Sequence, residues 1–114
     1  MDVEVAFTGV PVSELGAGRG FFERLFGRPA DILVADDEVM WRVNDSAWLY
    51  VVVDPVRAGN ALAALSVGDL DAALSELGGR GLSPHRVEDV GDNARKATLL
   101  DPDGNSVALI EVAG

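Results

Sequence analysis

At 114 residues, 48% of them hydrophobic and 25% charged, the chain reads as one globular domain rather than a disordered segment. Nine basic against nineteen acidic residues leave a formal charge of −10, which repels phosphate backbones and anionic lipid surfaces, so neither nucleic acid nor a membrane is an expected partner. The lack of cysteine removes disulfides, thiolate metal sites and cysteine nucleophiles, and suits a cytoplasmic location.

The opening MDVEVAF carries Asp2 and Glu4 where a secretory signal would carry basic residues. VEVAFTGVPV, from Val3 to Val12, is rich in β-branched residues and predicts a strand, with Pro11 placing it at an edge or near its end. Ser13 and Glu14 offer a helix start, and Phe21, Phe22, Leu25 and Phe26 recur at helical spacing up to Gly27, a natural stop. Between Asp31 and Asp54 the runs DILVA, EVMWRV and AWLYVVVD predict strands separated by the turn-forming DD and NDS.

PVRAGN leads to a second strand, ALAALSV, and a second helix, DLDAALSELGGRG, whose Leu70, Ala73, Leu74 and Leu77 form one apolar stripe. The longest uncharged run, Ala58 to Gly68, falls well short of the roughly 20 residues that cross a bilayer. SPHRVEDV, ARKATLL and SVALIEV complete the chain as three further strands. The order is βαβββ, twice, and the letters repeat with it: VPVSEL matches LSVGDL, and VNDSAWLYVVV matches PDGNSVALIEV. The expected class is therefore α+β, with module one over about 1–54, a linker over about 55–60 and module two over about 61–114. Two such modules side by side predict one curved, partly open mixed sheet around a cleft, with the helices on the convex face.

Three stretches carry a likeness to a known family: VPVSELGAGRGFFERLFG near the start, LSVGDLDAALSELGGRGL in the middle and LLDPDGNSVALIE at the end. Together they resemble the vicinal oxygen chelate superfamily, which holds glyoxalase I, extradiol dioxygenases, fosfomycin-resistance enzymes and bleomycin-resistance proteins. The resemblance implies a scaffold rather than a reaction, since metal enzymes and metal-free binding proteins share it. In the enzymes a metal ligand, usually His, stands ahead of the acidic helix start of each module, and a Glu often stands on each closing strand. The matching positions here hold Phe7, Leu62, Tyr50 and Ala108. Phenylalanine, leucine and alanine offer no lone pair, and a lone phenol is a poor ligand for a divalent ion, so no metal and no cofactor is expected.

Other chemistry fits less well. DPDGNSVALIEV begins like a calcium loop with Asp101, Asp103 and Asn105, but Ser106 takes the place of the obligatory glycine and Val112 that of the closing glutamate, so the stretch predicts a tight turn. GAGRG lacks the spacing of a dinucleotide fingerprint and reads as a looped or frayed helix start. GNSVA leads into a strand, whereas a nucleophile elbow must lead into a helix. The single histidine, His85, stands between turn formers and a strand and reads as a solvent-edge residue.

If Asn44 and Asp45 close a hairpin, Trp41 falls opposite Trp48 and Val39 opposite Tyr50, so Trp41, Trp48 and Tyr50 share one face. Tyr50 occupies a position that faces the cleft in the family. The aromatic trio should then line the cleft with Phe7, Leu62 and Ala108, while Leu49, Val51 and Val53 pack beneath the helices. An aromatic-walled groove in an acidic protein suits a small aromatic or cationic organic molecule, held and not altered, as the bleomycin-resistance branch would do it. Kinship to that branch also implies a homodimer with the groove between chains. The competing expectations are a glyoxalase- or dioxygenase-type enzyme with a metal held elsewhere, metal-free acid–base chemistry by His85, Arg95 or Glu111, and a dimer whose cleft its own side chains fill.

Overall fold

The computed structural model describes residues 1–113. Strand β1 (Ala6–Val12) starts later than the Val3 expected from composition, because only from Ala6 onward does the chain meet a partner, β4 (Ala47–Val53), in parallel register. β1 is an edge strand, and the Pro11 carbonyl points away from β4 to accept from Asn105 Nδ2, so the proline costs the ladder no hydrogen bond. Helix α1 (Leu15–Phe26) ends at Gly27, whose φ of 71° is the left-handed conformation that glycine adopts freely, and its N–H returns to Glu23 O. GAGRG is not a loosened helix start: all three of its glycines lie within α1, and Gly18 is buried against Val12. A Cβ at Gly18 would fall 2.8 Å from Val12 Cγ1, so the missing side chain lets α1 sit close on β1.

β2 (Ile32–Ala35), β3 (Glu38–Asn44) and β4 complete the first sheet in the order β1-β4-β3-β2. The second half repeats the plan with β5 (Leu62–Ser66), α2 (Leu70–Gly79), β6 (Arg86–Val90), β7 (Ala94–Leu100) and β8 (Ser106–Val112), in the order β5-β8-β7-β6. In each sheet the first strand runs parallel to the last and the remaining pairs are antiparallel. Asp69 caps α2 by accepting from Ala72 N at 3.0 Å, as the acidic helix start predicts.

Each sheet buries the face that meets its helix. Val10, Val12, Val39, Leu49 and Val51 lie beneath Phe21, Phe22 and Leu25, while Ala97, Leu99, Val107 and Leu109 pack with Leu70 and Leu77, and all belong to one continuous core. The expected α+β architecture of two βαβββ modules is thus present, but as two hydrogen-bonded sheets rather than one uninterrupted ladder. Side chains make the joint where a ladder would otherwise run. Fully buried Asn105 accepts from Ala61 N at 2.9 Å and donates to Pro11 O at 2.7 Å, tying the start of β5 to β1. Asp101 holds Asn105 in turn, accepting from its backbone and side-chain nitrogens at 2.8 Å, and Asp103 accepts from Ser13 N. The DPDGN stretch is therefore the β7–β8 turn, its carboxylates occupied by backbone and side-chain donors. No helix among the described residues is long and apolar enough to cross a membrane.

Candidate ligand-binding site

The face of the first sheet turned away from α1 is built by alternation. Phe7 pairs with Trp48 and Gly9 with Tyr50 across the β1–β4 ladder, while Met40 and Arg42 pair with Tyr50 and Trp48 from the other side. Phe7, Trp48 and Tyr50 therefore do share the open face, and Phe7 remains 58% exposed.

Trp41 does not join them. It pairs with Leu49 instead of Trp48, which turns it to the helix side, where it is fully buried, packs on Phe22 and Phe26, and donates Nε1–H to Arg28 O at 3.0 Å. The reason lies in the turn. Asn44 does not occupy the middle of the loop but begins it, its Oδ1 accepting from Ser46 N at 3.0 Å, so Asn44 pairs with Ala47. An irregularity between Arg42 and Asn44 then takes back part of that displacement, and the net slip of one residue moves Trp41 through the sheet. Leu49 and Val51 lie under the helix as expected, with Val53 packed at the edge of the same core.

On the second sheet, Leu62 and Ala108 share the corresponding open face: Leu62 pairs with Ser106, and Ala64 with Ala108. Ala108 is buried between Ala64 and Thr98, whereas Leu62 is 89% exposed and is not covered by the first module. Within one chain the two open faces therefore do not close on each other at these positions. The set Phe7, Tyr50, Leu62 and Ala108 does not fit a divalent ion, because its only heteroatom is a phenol. No group of three or more His, Asp or Glu side chains that could hold a metal occurs among the described residues.

Charges on the open faces are nearly balanced. Arg42 is held by Asp45 at 3.0 Å, and Glu88 lies between Arg86 at 3.4 Å and Lys96 at 3.7 Å. The overall charge of −10 is consequently not concentrated there. The residues considered for acid–base chemistry lie elsewhere. Glu111 accepts from Leu70 N at 2.7 Å at the start of α2, and Arg95 pairs with Asp71 at 3.2 Å, a contact that raises the guanidinium pKa. His85 is exposed just before β6, its backbone N–H donated to Thr98 O.

A cavity of about 290 Å³ opens at the end of the first sheet's open face, between Tyr50, Val52 and Pro11 and the segment that follows β4. That segment folds into a single turn in which Asp54 accepts from Arg57 N at 3.2 Å and from Arg57 Nε at 2.8 Å. The Arg57 hydrogen bond holds the Asp54 carboxyl below the usual carboxylate range. Gly9 is part of the same construction: a Cβ there would overlap the Tyr50 ring at Cζ and its hydroxyl, so the ring lies across β1 where the side chain is missing. Sequence reasoning missed Gly9, Asp54 and Arg57. The D-P-V-R stretch signals a turn, but nothing in its spacing tells that the turn folds over Tyr50.

No protein-family model matches the chain, and no curated protein matches it. Among solved structures, a glyoxalase / bleomycin resistance protein from Catenulispora acidiphila DSM 44928 is 36% identical, with a TM-score of 0.89 over 95% of this chain and 97% of that one. An antibiotic binding protein, TnmS3, from Streptomyces sp. CB03234 is 24% identical, with a TM-score of 0.73 over 96% of this chain and 95% of that one. A bleomycin-binding protein complexed with bleomycin is 21% identical, with a TM-score of 0.75 over 93% and 96% respectively. At those identities the last two share the fold with this chain, and the first shares sequence as well.

Proposed function

The chain belongs to the glyoxalase / bleomycin resistance protein family of the vicinal oxygen chelate superfamily, and from that premise we propose that it binds a small aromatic molecule and holds it unaltered. The observation that carries the reading is the open sheet face on which Phe7, Trp48 and Tyr50 lie together, next to a cavity of ligand size. Two of the solved structures it resembles are described as binding an antibiotic or bleomycin, which supports a small organic ligand. The aromatic half of the sequence expectation is the half retained. A cationic ligand would draw on negative charge at the site, and Asp54 and Glu88 there are paired with Arg57, Arg86 and Lys96, which leaves Glu38, opposite Val52, as the acid of that face without an ion pair among the described residues. The positions at which the family's enzymes hold their metal carry no adequate donors, so the reading is one of binding without a cofactor, in a cysteine-free protein suited to the cytoplasm.

In the same reading two copies share the site. Leu62 and Ala108 stand on the second sheet at the positions matching Phe7 and Tyr50 on the first, and a two-fold pairing of chains would set one pair opposite the other. The test is a fluorescence titration of tryptophan against a panel of aromatic and cationic compounds, followed by recovery of the bound compound and metal analysis of the protein. The expected result is quenching or a shift by planar aromatics, return of the compound chemically unchanged, and far less than one metal ion per chain. Stoichiometric nickel, zinc, iron or manganese, or conversion of the compound, would replace binding with catalysis. Silence across a broad panel would leave a dimer filled by its own side chains.

A further inference from the structure

Resting on that reading, we propose that the cavity beside Tyr50 is specific for a planar aromatic carboxylate, with the ring against Tyr50 and the carboxylate on Arg57. Four features of the cavity lead there. Its floor is aromatic: the Tyr50 ring lies over Gly9, whose lack of a Cβ lets the ring settle across β1 and leaves its other side to the cavity. Pro11 and Val52 make adjoining walls apolar. At about 290 Å³ the space matches the lower end of small-molecule sites, which suits one or two fused rings.

The fourth feature is the rim. Arg57 is anchored along one edge only, where Nε donates to Asp54 Oδ2 at 2.8 Å, and its two terminal nitrogens make no hydrogen bond among the described residues. Its side chain is 80% exposed, so those nitrogens are available to an incoming group. A guanidinium fixed at Nε and open at both terminal nitrogens presents the paired donors that a carboxylate accepts. Asp54 has a positioning role. Its carboxylate is engaged by Arg57 through both the main-chain and side-chain nitrogens, which directs the free edge of the guanidinium and leaves Asp54 little capacity for a ligand cation. A planar ring with a neutral substituent would use the floor alone, and one with an ammonium group would meet Arg57 with like charge.

The experiment compares 2-naphthoate, 2-naphthamide and 2-naphthylmethylammonium by isothermal titration on the full chain, in the wild type and in Arg57→Gln, Arg57→Lys and Tyr50→Leu. The wild type is expected to prefer naphthoate to naphthamide by about tenfold, the scale of a charge-assisted hydrogen-bond pair, and to bind the ammonium most weakly. Arg57→Gln should bring the naphthoate-to-naphthamide ratio close to one, Arg57→Lys should keep part of it, and Tyr50→Leu should weaken both compounds while keeping the ratio. Equal binding of acid and amide, or preference for the ammonium, overturns the carboxylate assignment and leaves aromatic binding standing. Failure of all three compounds to bind overturns this inference, whereas the aromatic-binding reading falls only if the broad panel is silent as well.

Discussion

Trp41 and Trp48 stand on neighbouring strands of one hairpin, yet the pairing of Trp41 with Leu49 and of Trp48 with Arg42 sends them to opposite faces. Trp41 is fully enclosed, with Phe22 and Phe26 against its ring and Arg28 O on its indole nitrogen. Trp48 is half-buried, and its neighbour across the ladder is the exposed Phe7. The two residues should therefore separate stability from binding. Trp41→Phe removes ring volume and a part-buried hydrogen bond, a loss of about 1–3 kcal/mol in denaturant unfolding. Trp48→Phe keeps an aromatic at a partly exposed position and should cost roughly 0.5 kcal/mol or less. Each variant leaves one tryptophan as the reporter. With Trp41 replaced, emission from Trp48 should respond to an aromatic ligand; with Trp48 replaced, the blue-shifted emission of Trp41 should not. An equally responsive Trp41 would mean that the ligand reaches the helix side of the sheet.

At the scale of elements, strand and helix order was legible because hydrophobic periodicity and turn residues specify it locally: Gly27 stops α1, Asp69 starts α2 and the βαβββ pattern repeats. Pairing register was not, because it depends on where Asn44 places its side chain, and a one-residue slip reverses every assignment to a face. The cavity was legible only in Tyr50, since its rim comes from a connecting turn whose position is set by tertiary packing. The start of β2 is likewise set by side-chain contacts rather than by its own residue pattern. Asp31 accepts from Arg28 Nη1 at 2.6 Å and from Arg42 N at 2.7 Å, and these bonds, the Arg28 side chain first, lower its pKa. Folding thus makes this carboxyl harder to protonate than in the unfolded chain, where it has the ordinary aspartate value of about 3.8. Its stabilising contribution is complete above that value and is lost as pH falls through the lower folded-state pKa. Asp31→Asn should therefore destabilise the protein by on the order of 1 kcal/mol at neutral pH, at the upper end for a partly exposed pair. Denaturation midpoints measured from pH 7 down to pH 2 should show the difference from wild type narrowing in the acid range. A constant difference across that interval would assign the effect to shape rather than to charge.

For the molecule as a whole, each module buries one sheet face under a helix and leaves the other open. The modules are tied at β1 and β5 by Asn105, which satisfies Ala61 N and Pro11 O together. Each sheet is complete in its ladder, and the apolar residues left outside, Phe7 at 58% and Leu62 at 89% exposure, are not covered by any of the described residues. Hydrophobic residues exposed on the open faces of both sheets favour association, and a stable pairing of two copies needs roughly 1,200–2,000 Å² of buried surface. Setting the first sheet of one copy against the second sheet of the other would bury both residues and satisfy two-fold symmetry, since each contact would occur twice. Light scattering at tens of micromolar should then give twice the 12.0 kDa mass of one chain. Leu62→Glu places a charge on each copy of the contact and should shift the mass toward that of a single chain, with the loss of aromatic-ligand binding by at least about tenfold. Val56→Glu, at a residue 90% exposed in the connecting segment, should leave the mass doubled. A wild-type protein that stays at the single-chain mass would confine the site to Tyr50 and its cavity. A doubled mass in Leu62→Glu would place the contact on some other surface.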